Sequence, residues 1–116
     1  MKNQIVYLKH IEECITKIIR YTSELTQNEF LENSLIQDAV IRNFEIIGEA
    51  TKKLNSAFRS KYPKVEWKKI AGMRDKLIHD YIGVDLGALW AVVEQIIPDL
   101  NEQIKRIIRI EENENE

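Results

Sequence analysis

Apolar residues return at steps of three and four through nearly the whole of this 116-residue chain, a period that suits helices and leaves little room for strands. Leu8, Ile11, Ile15 and Ile18 form one stripe, and Cys14, Ile18, Tyr21 and Leu25 form a second beside it. Together they predict a first helix from about residue 3 to 25. Its apolar face is wider than one bundle contact needs, so part of it is expected to meet another subunit. The Thr26-Gln27-Asn28 segment breaks the pattern. Ser34-Leu35-Ile36-Gln37 has the form of a capping box and sets the start of a second helix, with Ile36, Val40, Phe44, Ile47, Leu54 and Phe58 as its buried stripe. Gly48 within it is expected at a close helix crossing, and Pro63 closes the helix. Trp67, Ile70, Met73 and Leu77 mark a third helix directed toward Gly83, which Gly72 is expected to divide into two short pieces. Asp85 is the expected N-cap of the last helix, whose stripe of Leu86, Leu89, Val93, Ile96, Leu100, Ile104 and Ile107 continues past a kink at Pro98. No sustained period of two, Asn-Gly hairpin or glycine-rich phosphate loop is present. The reading is an all-α, single-domain bundle of four to five helices over residues 1–110, followed by a disordered acidic tail at 111–116.

Composition narrows the class further. A hydrophobic content of 44% suffices for one core. The single cysteine, Cys14, excludes an internal disulfide and a cysteine-based zinc site. No apolar run approaches the roughly 20 residues that span a bilayer, and charge interrupts the N-terminus too early for a secretory segment. A cytoplasmic protein with no membrane partner is expected. The net charge of −2 argues against a generally basic nucleic-acid binder, but the charge is unevenly placed. Residues 59–76 hold seven basic side chains against Glu66 and Asp75, which leaves the remainder of the chain acidic. A polyanion can be steered to that segment, because local potential governs encounter, and Lys68, Lys69 and Lys76 are its candidate contacts.

The same segment carries the strongest chemical signal, Arg74-Asp75-Lys76-Leu77-Ile78-His79-Asp80-Tyr81, or Arg-x4-His-x-Tyr. At about 100° per residue, Arg74, Asp75, His79 and Tyr81 share one broad helix face while Leu77 begins the side turned to the core. Asp75 and His79 stand four apart, so the carboxylate is expected to orient the imidazole and favour its charged form. A positioned His can take and give a proton, and Arg is well shaped to hold a phosphate and the charge that develops on it. That combination suits cleavage of an RNA phosphodiester without a metal or any other cofactor. Such a transesterification calls for two proton carriers, and His10 lies far away in the first helix. A two-fold homodimer would supply Arg74 and His79 twice across one cleft.

Other constellations are read structurally. His10 and Cys14 lack the second half of a metal site. Glu45 and Glu49, with Arg42, Lys52 and Lys53 as helical neighbours, are expected to form an ion-pair ladder, and no Glu-x-x-His accompanies them as a di-iron bundle requires. Trp67 and Trp90 are expected core anchors.

The motif, with Gly72-Met73 before it, Trp67 upstream and Phe44-Glu45-Ile46-Ile47-Gly48-Glu49-Ala50 on the preceding helix, resembles the HepT branch of the HEPN superfamily over nearly the whole chain. The resemblance implies a small α-helical homodimer acting as a metal-independent endoribonuclease toxin of a type VII toxin–antitoxin pair. It also implies a cognate minimal nucleotidyltransferase antitoxin as partner, Arg74 and His79 as the catalytic pair, and Tyr81 as the hydroxyl that receives AMP. Asp75 stands where Asn is frequent in that group, and an acidic group there repels RNA. The alternative function is a non-catalytic HEPN module that binds and assists a nucleotidyltransferase.

Overall fold

The computed structural model describes residues 2–79 and 85–114, and the described residues form seven α-helices with no strand. They are α1 (Lys2–Thr22), α2 (Gln27–Leu31), α3 (Ser34–Lys52), α4 (Ser56–Lys61), α5 (Trp67–His79), α6 (Leu86–Gln95) and α7 (Ile97–Glu114). The all-α reading holds. The count exceeds the expected four or five because two short helices occupy what read as a break and as the tail of a longer helix, and because the last helix is two, α6 and α7.

Leu8, Ile11, Ile15 and Ile18 of α1 are at most 1% exposed, and α3, α7 and α6 all pack against that helix. The broad apolar face expected to serve a partner is therefore used within the chain, and on α1 only Val6 is a strongly exposed large apolar side chain among the described residues. The helix stops at Thr22, whose buried hydroxyl donates to the Ile18 carbonyl at 2.7 Å. Thr26 then opens α2 with a true capping box: its hydroxyl accepts from the Glu29 amide, and the Glu29 carboxylate accepts from the Thr26 amide. The segment that read as a simple break is thus a helix start. The short helix delivers Phe30, fully buried, against Trp90 at a ring distance of 5.1 Å.

At α3 the cap is Asn33 and not Ser34, with the Asn33 side chain accepting from the Ile36 amide at 3.0 Å. Gln37 serves the preceding helix instead, donating to the carbonyls of Phe30 and Leu31. The expected stripe is buried at Val40, Phe44 and Ile47, and Ile41, Asn43, Gly48, Ala50 and Thr51 widen it. Flanking by both α1 and α5 explains the width. Helix α3 ends at Lys52 because Asn55 starts a new one, its side chain accepting from the Phe58 amide at 2.7 Å. Asn55 also donates its own amide to Gln4 of α1, and Arg59 donates to the Thr51 carbonyl at 2.7 Å, satisfying the exposed end of α3. Leu54 and Phe58 are buried as expected, although the helix that carries them is broken.

The turn after α4 is held by the Trp67 indole, which donates to the Tyr62 carbonyl at 2.9 Å. Trp67 and Trp90 are both core residues. Helix α5 runs unbroken through Gly72, so the expected division does not occur; the glycine sits on the exposed side with open space where a Cβ would lie. Asp85 caps α6 as predicted, accepting from the Ala88 amide at 3.1 Å. The kink expected at Pro98 is a break at Ile96, and Pro98 occupies the first turn of α7, where its missing N–H goes unneeded.

The acidic tail expected from residue 111 is helical as far as Glu114, and residues 115 and 116 lie outside the described residues. Glu111, 3% exposed, accepts from Lys61 at 2.8 Å and from the Tyr62 hydroxyl, while Glu114 accepts from Lys61 at 2.6 Å. Burial and the bond to Glu111 push the Tyr62 phenol up to about 12. The Lys61 and Tyr62 donors outweigh burial and hold the Glu111 carboxyl below its usual range. Among the described residues no helix is long and apolar enough to cross a membrane.

Candidate active site on the motif helix

Helix α5 forms because Trp67, Ile70 and Ala71 share a buried side, and it finds α3 as its most extensive partner. Its direction follows from contacts that move outward from the turn: Trp67 with Tyr62, Trp67 with Phe58, then Asp75 with Lys52. That progression is an antiparallel helical hairpin. Arg74, Asp75 and His79 all belong to the one continuous helix, so Arg74 and His79 stand about 7.5 Å apart along its axis. The side chains of Arg74, Lys76 and His79, and Tyr81 as a whole, lie outside the described residues.

Asp75 is the motif residue whose surroundings are described. Its Oδ1 accepts from the Lys52 Nζ at 2.5 Å, across from α5 to α3. The pair is partly exposed, so its net contribution to stability is no more than about 1 kcal/mol. Its electrostatic effect is more pertinent: a cation from α3 offsets the negative charge that stands next to Arg74. Lys52, which its spacing placed beside Glu49 in the expected ladder, reaches across from α3 to α5. No local spacing could reveal a pair separated by 23 residues.

The basic segment is also less positive than its composition. Lys61 is bound to Glu111 and Glu114, and Lys69 lies 2.8 Å from Glu66, which raises its pKa. Lys68 is exposed and has no ion pair among the described residues. With Lys69, Arg59, Pro63 and Trp67 it lines a shallow depression of about 410 Å³ at the start of α5. This surface leads along the same helix toward Arg74. Lys64, exposed beyond the turn, adds a further cation.

The metal reading of His10 and Cys14 finds no support: His10 is exposed, Cys14 is buried, and burial pushes the thiol pKa up. No group of three His, Cys, Asp or Glu among the described residues is placed to hold an ion.

Comparison with known proteins points the same way as the motif. The profile of the family described as "Ribonuclease HepT-like" matches residues 11–107, from mid-α1 to α7. A protein of Caldanaerobacter subterraneus subsp. tengcongensis named "Putative RNase" is 41% identical over 111 residues, which cover 96% of this chain and 99% of that one. One named "Probable ribonuclease HepT" from Thermococcus cleftensis is 43% identical over 101 residues, covering 87% and 92%. A Methanocaldococcus jannaschii protein named "Gamma-glutamylcyclotransferase and putative RNase" is 48% identical over 115 residues, 98% of this chain; the chain spans 52% of that relative's length. No solved structure matches. A family match over most of the chain, on a frame that is all-α among the described residues, shows that the chain belongs to the HepT-like ribonuclease family of the HEPN superfamily.

Proposed function

We propose that this protein is a metal-independent endoribonuclease toxin, working in the cytoplasm as a two-fold homodimer and silenced by AMP transfer to Tyr81 from a minimal nucleotidyltransferase antitoxin. The observation that carries the reading is the family match across α1 to α7 together with the placement of Arg74 and His79 on one helix. His79 removes the 2′-OH proton of a ribose, and the freed oxygen attacks the adjacent phosphorus. Arg74 holds the pentacoordinate phosphorane as negative charge builds on it. The bond from phosphorus to the 5′ oxygen breaks, and the second copy's imidazole protonates the leaving oxygen. The products are a 2′,3′-cyclic phosphate and a free 5′-OH. Asp75, with Lys52 offsetting its charge, is a positioning residue beside Arg74, and Lys68, Lys69 and Lys76 guide the strand.

AMP on Tyr81 would add a phosphate and a base two residues beyond His79, where the substrate phosphate must sit. The test is RNA cleavage by the purified protein with EDTA present. Arg74→Ala and His79→Ala should each abolish it, with the helical circular dichroism retained. A cleavage that needs a divalent ion would overturn the mechanism. A tight complex with the nucleotidyltransferase, with no cleavage by the free protein, would favour the non-catalytic module.

A further inference from the structure

Between α1 and α3 lies a cavity of about 290 Å³ that the motif does not use. Tyr7 and His10 reach it from α1; Arg42, Glu45, Ile46 and Glu49 reach it from α3, and Lys53 from the cap just beyond α3. The volume sits at the lower end of small-molecule pockets, enough for one nucleobase with part of its sugar. Ile46 and the Tyr7 ring give it an apolar floor, and the Lys53 ammonium stands 5.9 Å from the centre of that ring.

Glu45 is the residue that calls for explanation. It is half-buried and has no hydrogen bond or ion pair among the described residues, although Arg42 and Lys53 line the same cavity. A carboxylate that faces a cavity with no protein donor on it is free to accept from a ligand that supplies one. It does not combine with His10 into a cation site, since no such group of three ligands exists among the described residues. A carboxylate only accepts, so its best match is an edge with two adjacent N–H donors. Of the four RNA bases, guanine alone presents that edge, through N1–H and the 2-amino group.

We propose that this cavity is a base subsite of the RNA substrate and that it takes a guanine near the scissile phosphate. The proposal rests on the ribonuclease reading above. Glu45 accepts from N1–H and the 2-amino group, the ring lies against Tyr7 and Ile46, and Arg42 and Lys53 face the strand's phosphates. Glu45 lies seven residues before Lys52, about 10 Å along α3 from the link to Asp75, so a nucleotide close to the cleaved bond spans the gap. Reading of splayed single-stranded bases by their pairing edges is the common mode of sequence-specific RNA recognition.

Two arms test it. In the first, GMP, IMP, AMP, CMP and UMP are titrated into the protein while the ring resonances of His10 and Tyr7 are followed by NMR. GMP should shift both, IMP should bind roughly ten- to a hundredfold more weakly for want of the 2-amino bond, and Glu45→Gln should remove the difference. Equal response to all five nucleotides, or none, overturns the proposal. In the second, cleavage products of a randomised RNA are sequenced. Guanine should be enriched at one fixed offset from the cut, and Glu45→Gln should flatten that enrichment with cleavage still occurring. GMP binding without any enrichment overturns the substrate subsite and leaves a site for free nucleotide. If no RNA is cleaved at all, the ribonuclease reading fails, and the first arm still separates a guanine site from none.

Discussion

Glu111 sits almost fully buried between a lysine and a phenol, and its protonation sets how firmly the last helix holds the α4–α5 turn. Because its pKa is lowered in the folded state, the stabilisation it gives is present above the ordinary glutamate value, near 4.5, and is lost as pH falls through the lower native value. Glu111→Ala should lower stability at neutral pH by about 1–3 kcal/mol and flatten the acid limb of the stability curve, as read by urea melts from pH 6 to 3. An unchanged acid limb would show that the carboxylate carries no such linkage. Tyr62 acts in the opposite sense. Its raised pKa, about 12, gives stability that is present below pH 10 and fades as pH rises through 12. At this scale the sequence disclosed residues whose partner lies within one turn, such as Asp85 with the Ala88 amide, and residues whose size destines them for the core, such as Trp67 and Trp90. It could not disclose Lys52 with Asp75 or Lys61 with Glu111, because chain separations of 23 and 50 leave no local pattern.

Helix boundaries were legible where one polar residue competed for a cap and misread where two stood side by side. Asn33 and Ser34 both favour the N-cap, and the apparent box with Gln37 drew the start one residue late. Asn33→Ala should therefore destabilise the fold by about 1 kcal/mol and Ser34→Ala by less than about 0.5 kcal/mol, measured as shifts in thermal midpoint. The reverse order would restore the box. Apolar period was the stronger guide: it carried Leu54 and Phe58 correctly into the core even though Asn55 interrupts their helix. Period alone was silent about the break, since α3 and α4 present their stripes to the same interior. That Arg74 and His79 fall on one helix was likewise readable, whereas the cavity between α1 and α3 required two helices 30 or more residues apart to be brought together.

For the whole molecule, the proposed cleft needs two copies of the motif helix, and α1 keeps little apolar surface for that contact. The self-association surface must therefore be sought elsewhere. Exposed apolar side chains at Ile96 and beside it the half-buried Met73 and Val92, around a groove between α5, α6 and α7, stand near the motif helix itself. Mixing the wild-type protein with an excess of the His79→Ala protein should cut cleavage well below the wild-type protein's own rate, because a mixed pair keeps only one of the two imidazoles that the shared cleft needs. Sedimentation should show a dimer at the same concentrations. A strictly monomeric protein whose cleavage is untouched by mixing would overturn the shared cleft.

The anchoring of α7 bears on how such a protein can be handled at the bench. Trimming the chain back to Ile110 would strip both acidic partners from Lys61 and leave the Tyr62 hydroxyl without its acceptor. A purification tag joined directly after Ile110 would do the same, while one fused beyond Glu114 through a soft spacer would leave those contacts in place.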